Sequence, residues 1–316
     1  MRVKKPFFTL LITCKNEEND IHLALDSSIS QTYLDREIIC VDDSTDNTKK
    51  IILKYEKFGV RLIDGHREGC CMARNLGLHE AKGDVIVFLT ADTKLNPNYL
   101  ESIRKYYEGG YDIVAVASSS YNIQSVYSRF IEMQYRLEDT NQNFNPYTTQ
   151  GYSVRRIPAL KVGGISGSAY PFNTCRDWTL VKKMEDAGYK KVYDRSIVVP
   201  HKSPDNLSEY WLVRKTRGMM SAYQPHYMFN RSLYYLLVKF IAKDIKAILL
   251  FILIFPWFIK LLRISSYSEE PIKDFFKFAF ASAVQSTAFI IGEWIGLKNM
   301  CTYEKQFKKH LCNSKR

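Results

Sequence analysis

Along the first hundred residues a short apolar run gives way, four times over, to a small polar cluster and then to apolar residues at helical spacing. The runs are FFTLLIT (Phe7 to Thr13), EIICVDD (Glu37 to Asp43), VRLID (Val60 to Asp64) and VIVFL (Val85 to Leu89). Unbroken rather than alternating hydrophobicity marks a strand buried on both faces, and strands that alternate with helical patterns build a parallel sheet. The helical stretches carry Ile21, Leu25, Ser28 and Ile29, then Ile51, Ile52 and Tyr55 behind a cap at Ser44 or Asp46. A third runs from Met72 to a stop at Gly83, and a fourth starts at Pro97. Each polar cluster falls at the carboxyl end of its strand. The pattern therefore predicts a doubly wound, mostly parallel α/β sheet with its ligand crevice along that edge. Asp92, alone at the end of the fourth run, either holds a metal bound to phosphates or shapes a strand-to-helix turn.

Further along, YDIVAVASSS predicts another strand and Val126 to Asn141 a long helix, and NFNPYTTQ reads as a loop over the cleft. The last ninety residues change character. LYYLLVKFIAKDIK sets Lys239, Lys243 and Lys246 on one face of a helix otherwise apolar, the pattern of a helix lying in a membrane interface. Ile245 to Leu262 reaches a plausible span against the roughly 20 residues needed, with Lys246 and Lys260 snorkelling at its ends. A second run, Phe275 to Leu297, is interrupted by Lys277 and Glu293. The loop from Arg263 to Asp274 has two basic and three acidic residues, and the tail from Lys298 to Arg316 six basic and one acidic. That asymmetry predicts a hairpin with both ends cytoplasmic; the alternative is a soluble bundle of buried helices. The expected division is 1–223 for the α/β domain, 224–246 for the interfacial helix, 247–297 for the hairpin and 298–316 for a basic tail.

Composition narrows the partners. With 316 residues, 46% hydrophobic and 25% charged, the chain is globular and fits one large domain or two small ones. Its 45 Lys+Arg against 33 Asp+Glu leave a net charge of +12, which suits nucleic acid, anionic lipid headgroups or a nucleotide diphosphate. Seven scattered cysteines without metal-ligand spacing suit a reducing compartment. The first apolar run is too short for a signal peptide, so the N-terminal domain is expected in the cytoplasm. Neither GxGxxG nor GxxxxGK[ST] occurs, so phosphate charge must be met by a metal and by basic side chains.

The blocks FFTLLITCKNE, QTYLDREIICVDDSTDNT, GCCMARNLGLHEAKG and DVIVFLTADTKLNP, in this order and spacing, resemble the signature blocks of the family 2 glycosyltransferases, and the similarity continues to about Tyr223. The resemblance implies a GT-A fold and transfer of a sugar, with inversion, from a UDP- or GDP-linked donor; a nucleic-acid partner is not expected. It places Thr13, Asn16 and Glu17 beside the nucleoside and gives Asp43 the place of the carboxylate that reads the base, a role suited to an acceptor of a ring N–H. Asp42 either contacts the ligand or shapes the turn. Arg74 would meet ribose or phosphate oxygens, and Asn75 would stabilise its loop. Many members read Asp-x-Asp where this chain has Thr90-Ala91-Asp92, so only the second acid remains. The implied cofactor is a divalent cation, Mn²⁺ or Mg²⁺, weakly bound by Asp92, with His201 as a further candidate ligand and Lys94 a loop lysine near the diphosphate.

The segment from Thr174 to His201 resembles the family's Glu-Asp block, with Arg176-Asp177 in place of Glu-Asp. Asp177 then falls on the catalytic base, the carboxylate that takes the acceptor hydroxyl's proton; the other reading is a helix cap. Arg156 and Arg217 are carried over as contacts to diphosphate or acceptor, Arg155 sharing the first of these places. Arg217 lacks the Gln and Trp of the processive synthases' Gln-x-x-Arg-Trp motif, which argues against a polysaccharide synthase. The expected reaction is transfer to a hydroxyl of a lipid-linked saccharide. The alternatives are a polyprenyl-phosphate sugar synthase and a non-catalytic nucleotide-sugar-binding relative.

Overall fold

The computed structural model describes residues 6–66, 68–141, 143–168, 174–175, 177–229, 231–252 and 255–313. The chain forms two compact units, Met1–Tyr121 with Glu138–Lys202, and Asn122–Leu137 with Ser203–Arg316.

In the first unit the chain order is β1 (Phe8–Cys14), α1 (Ile21–Ile29), β2 (Arg36–Asp42), α2 (Thr48–Leu53), β3 (Val60–Asp64), α3 (Cys70–Glu80), β4 (Val85–Thr90), α4 (Tyr99–Glu108) and β5 (Ile113–Ser120). After α5 (Val126–Asp139), most of which belongs to the second unit, come β6 (Ser153–Arg155), α6 (Arg156–Lys161), β7 (Gly167–Ser168), β8 (Thr174–Cys175), α7 (Asp177–Asp186) and β9 (Lys191–His201). Seven strands form one sheet in the order β3-β2-β1-β4-β6-β5-β9. All its pairings are parallel except those of β6, which enters antiparallel between β4 and β5.

The unbroken apolar runs are explained by the two cores. Phe8, Leu10, Ile12, Val85, Val87 and Leu89 face one way, against α1, α2 and α4. Leu11, Ile39, Val41, Ile86 and Phe88 face the other way, against α3, α6 and α7. Alternate residues of one strand thus serve opposite cores, and each fully buried aliphatic side chain contributes about 1.5–3 kcal/mol. The short strand β6 had no separate signal in the sequence, because its segment is only three residues long.

The second unit holds most of α5, then α8 (Leu207–Phe229), α9 (Leu233–Ile252), α10 (Phe255–Ser265) and α11 (Pro271–Asn313). Phe130, Tyr210, Leu261 and Phe278 lie in its core. Helices α8 and α11 run side by side in the same direction, Tyr210 meeting Ala281 and Gln285, Ser221 meeting Glu293 and Tyr223 meeting Asn299. Glycines let their backbones touch: a Cβ on Gly218 would lie 2.1 Å from the Phe289 carbonyl oxygen, and one on Gly292 2.1 Å from that of Lys215. Arg129 of α5 grips the buried Asp274 with two nitrogens, at 2.9 and 2.8 Å.

The boundary placed at Tyr223 falls inside α8, a continuous helix belonging to the second unit. The expected span Ile245 to Leu262 includes residues 253–254 and the side chain of Lys246, which lie outside the described residues, as do the side chains of the tail beyond Cys301. Among the described residues one helical stretch, Pro271–Cys301, is long and apolar enough to cross a membrane.

Candidate active site

The parallel register sets Thr13 beside both Val41 and Thr90 and Cys14 beside Asp42, so β1, β2 and β4 end at one level and their following loops share one edge. The first two loops are stitched together. Asn16, with φ +58°, donates its N–H to Ser44 Oγ at 2.8 Å, and its side-chain oxygen accepts from the Thr45 N–H at 2.8 Å. The Glu17 N–H donates to Thr48 Oγ1 at 2.8 Å. Asp46 accepts from the N–H and hydroxyl of Thr48, as expected of a residue opening that helix.

Asp42 and Asp43 are both buried and do different things. The Asp42 carboxylate accepts from the Ser44 N–H at 3.1 Å and the Cys14 thiol at 3.3 Å, so it shapes the turn. Asp43 accepts from the Gly69 N–H at 3.0 Å, and a Cβ on Gly65 would sit 2.0 Å from its Oδ1. The loop between β3 and α3 therefore wraps closely around the Asp43 carboxylate, and Gly65 is required for that approach.

At the end of β4 the Thr90 hydroxyl donates to Asp92 and meets Thr93 Oγ1 at 2.9 Å and the Gln150 side-chain oxygen at 3.2 Å. The last residues of β9 close this side: the Lys94 N–H donates to the Pro200 carbonyl at 2.9 Å, and Thr93 bridges His201. Lys94 itself is exposed. Glu17 has the carboxyl groups of Asp92, Asp20 and Asp46 in its neighbourhood, with Lys202 pairing to Asp20 at 2.8 Å. Burial, then the charges of Asp92 and Asp20, push the Glu17 carboxyl up to about 7. The Tyr121 hydroxyl is pushed up to about 12 by burial and then by Asp20 and Asp92. Asp20, Tyr121, Gln150 and Lys202 were missed by sequence reasoning. They come from four separate segments; Asp20, soon after Asn16-Glu17, Lys202, next to His201, and Gln150, at the end of the loop read as covering the cleft, carried a local signal.

Asp177 is the first residue of α7, where the helix N-terminus favours a carboxylate. The Arg74 guanidinium of α3 pairs directly with it, its side chain 9% exposed. Arg74 and Asp177, read separately from the sequence, are thus brought together. Arg176 lies outside the described residues. Asn75, expected to stabilise its own loop, lies inside α3 and holds the segment after α6, its amide bonding both the carbonyl and the N–H of Ile165 at 2.9 Å.

Arg155 and Arg156 stand elsewhere in the first unit. Arg155 pairs with Val85, the first residue of β4, so it and Arg156 lie at the amino edge of the sheet, away from Asp92. Arg156 donates to the Leu78 and His79 carbonyls at 3.1 and 3.0 Å, and Arg155 to those of Tyr111 and Tyr107 at 3.1 and 2.6 Å. Both guanidiniums cap backbone carbonyls, a use the residue type alone does not distinguish from phosphate binding. Arg217 is exposed on α8 in the second unit, beside Arg214. His201 is buried, and among the described residues no three His, Cys, Asp or Glu side chains form a set able to hold a metal. Asp92 nonetheless suits a hard divalent cation: it is half-buried, has oxygen donors and lies among other carboxyls. A bound phosphate and water would complete the coordination.

The mostly parallel sheet with acidic loops at its carboxyl edge is of the GT-A type. Residues 9–161 match the family described as Glycosyl transferase family 2. Glycosyltransferase AglE of Haloferax volcanii is 26% identical over 209 residues, 62% of this chain and 67% of AglE. WfgD of Escherichia coli, a UDP-Glc:alpha-D-GlcNAc-diphosphoundecaprenol beta-1,3-glucosyltransferase, is 33% identical over 95 residues, 29% of this chain and 38% of WfgD. The chain spans from 14% to 67% of the length of the first curated relatives it matches. Among solved structures, mannosyltransferase PcManGT of Pyrobaculum calidifontis, in complex with GDP-Man and Mn²⁺, superposes with a TM-score of 0.61 at 16% identity, over 96% of this chain and 88% of PcManGT.

Proposed function

We propose that the chain is an inverting hexosyltransferase that moves a sugar from a UDP- or GDP-linked donor to a hydroxyl of a lipid-linked saccharide, with its catalytic domain on the cytoplasmic side of a membrane. The observation that carries the reading is the Arg74–Asp177 pair, a carboxylate held by a buried guanidinium within the family 2 domain. Asp177 would take the acceptor proton as the acceptor oxygen attacks the anomeric carbon. The new carbon–oxygen bond forms on the face opposite the departing group, and the old one breaks with its electron pair leaving on the nucleotide diphosphate.

Arg74 pairs with one oxygen of Asp177 and would hold the carboxylate in place beside the acceptor. Thr13, Asn16, Glu17 and Asp43 would line the nucleoside, with Asp42 holding their turn. Asp92 would hold a divalent cation, which when bound supplies electrostatic stabilisation for charge developing on the diphosphate. The PcManGT complex supports a nucleotide sugar and Mn²⁺, and the diphosphoundecaprenol acceptor of WfgD supports a lipid-linked one. The test uses full-length protein in detergent, nucleotide sugars and polyprenyl-diphosphate-linked saccharides. The expected result is donor-dependent product of inverted anomeric configuration by NMR; donor hydrolysis alone across the whole panel would contradict the proposal.

A further inference from the structure

Over its apolar stretch α11 is not a lone helix. The segment from Ala281 to Asn299 is lined by α8 from Tyr210 to Tyr223, backbone against backbone at Gly218 and Gly292. Helix α8 buries Arg214 and carries Lys215 along this contact, and its outer side exposes Glu209, Thr216 and Arg217. If α11 crossed a bilayer, α8 would be carried across with it, and these charges would lie at the depth where they are least tolerated. Helix α11 also buries Glu293, which pairs with Lys243 of α9 at 2.5 Å.

What α9 and α11 leave uncovered is one-sided. On α9, Tyr234, Val238, Ile241 and Ile245 recur at steps of four, three and four and are all exposed. On α11, Ile272, Phe276 and Phe280 recur every four residues at 80%, 70% and 55% exposure. Exposed lysines accompany both stripes, Lys239 on α9 and Lys277 on α11. Large apolar stripes with aromatic residues and lysines suit a helix lying in the headgroup region of an anionic membrane.

We propose that the second unit docks on one face of an anionic bilayer through these stripes of α9 and α11, with both ends of α11 on the same side of the membrane. This deepens the membrane side of the proposed function and needs none of its transfer chemistry. An inactive protein that still docked this way would sink that function and leave this inference standing.

The test places Lys273→Cys near the start of α11 and uses the native, exposed Cys301 near the other end of the apolar stretch. The two lie 28 positions apart, or roughly 42 Å along a helix, more than the roughly 30 Å hydrocarbon core. Sealed membranes of one orientation, carrying the full chain, are treated with an impermeant maleimide, and adducts are located by peptide mass. Both positions should label together, either before or only after permeabilisation. Labelling of one before and the other only after would establish a spanning helix and overturn the inference. In a second arm, purified protein should float with vesicles containing phosphatidylglycerol, and Phe276→Glu with Phe280→Glu should cut the bound fraction about tenfold. No flotation, with a dimer lost on the same substitutions, would assign the face to a second copy instead.

Discussion

The Thr90 hydroxyl donates to the carboxylate of Asp92 across the turn that ends β4. Where an acid would add charge, threonine adds a donor that orients the remaining acid. Asp92→Ala should lower turnover by about 10²-fold, the scale set by losing a group that stabilises transition-state charge. Thr90→Asp should lower the Mn²⁺ concentration giving half-maximal rate. Initial rates against Mn²⁺, with EDTA as control, check both; a wild-type rate unchanged by EDTA would remove the metal from the account.

The two adjacent aspartates should separate by assay. Asp42→Ala leaves the Ser44 N–H without its buried acceptor and should cost about 1–3 kcal/mol of stability, read as a lower melting temperature. Asp43→Asn keeps the volume and should weaken nucleotide binding in calorimetry with UDP and GDP. Equal effects of both substitutions on binding, with no loss of stability in Asp42→Ala, would reverse the two assignments.

Glu17 makes stability depend on pH. Its carboxyl moves from an ordinary value of 4.5 to about 7 in the fold, mainly through burial and then through Asp92 and Asp20. Between those values the native state binds more proton than the unfolded chain, so this contribution to stability is present at low pH and is lost as pH rises through about 7. The melting temperature of wild type should fall relative to Glu17→Gln as pH goes from about 5 to about 8. Parallel curves for the two proteins would refute the coupling.

The close crossing of α8 and α11 predicts intolerance of side chains. A Cβ at Gly292 meets backbone, which no rotamer change relieves, so Gly292→Val should destabilise by at least the about 1–3 kcal/mol typical of overpacking. Gly188→Ala, where a Cβ meets nothing within 4 Å but φ is +86°, should cost only the smaller backbone penalty. Thermal unfolding of the two variants checks the order.

The parallel half of the sheet was legible because its strands, such as Phe8–Cys14 and Val85–Thr90, are buried on both faces and alternate with helical patterns. The same logic hid β6, three residues without a period of their own. Asp92 stood out in the sequence because it ends a strand, whereas Asp43 and Asp177 stood out through the resemblance of their blocks to the family's. Arg155 and Arg156 misled, since an arginine that closes backbone carbonyls looks the same in sequence as one that meets phosphate. Lys202 and Tyr121 gather at Asp92 only through the pairing of β5 with β9, a contact between segments about eighty residues apart. The partnership of α11 with α8 was likewise invisible, because hydropathy counts apolar residues and does not register that Gly218 and Gly292 bring two backbones together.

The most direct measurement of the central claim is sugar transfer by Asp177→Asn, run beside calorimetry of the same protein with its nucleotide. Asn keeps the shape and removes the proton acceptor. Transfer to a lipid-linked hydroxyl should fall by at least about 10²-fold, while nucleotide affinity stays within a factor of about two. Near-normal transfer by Asp177→Asn would contradict the account and point to an acceptor such as a polyprenyl phosphate, whose oxygen is already deprotonated.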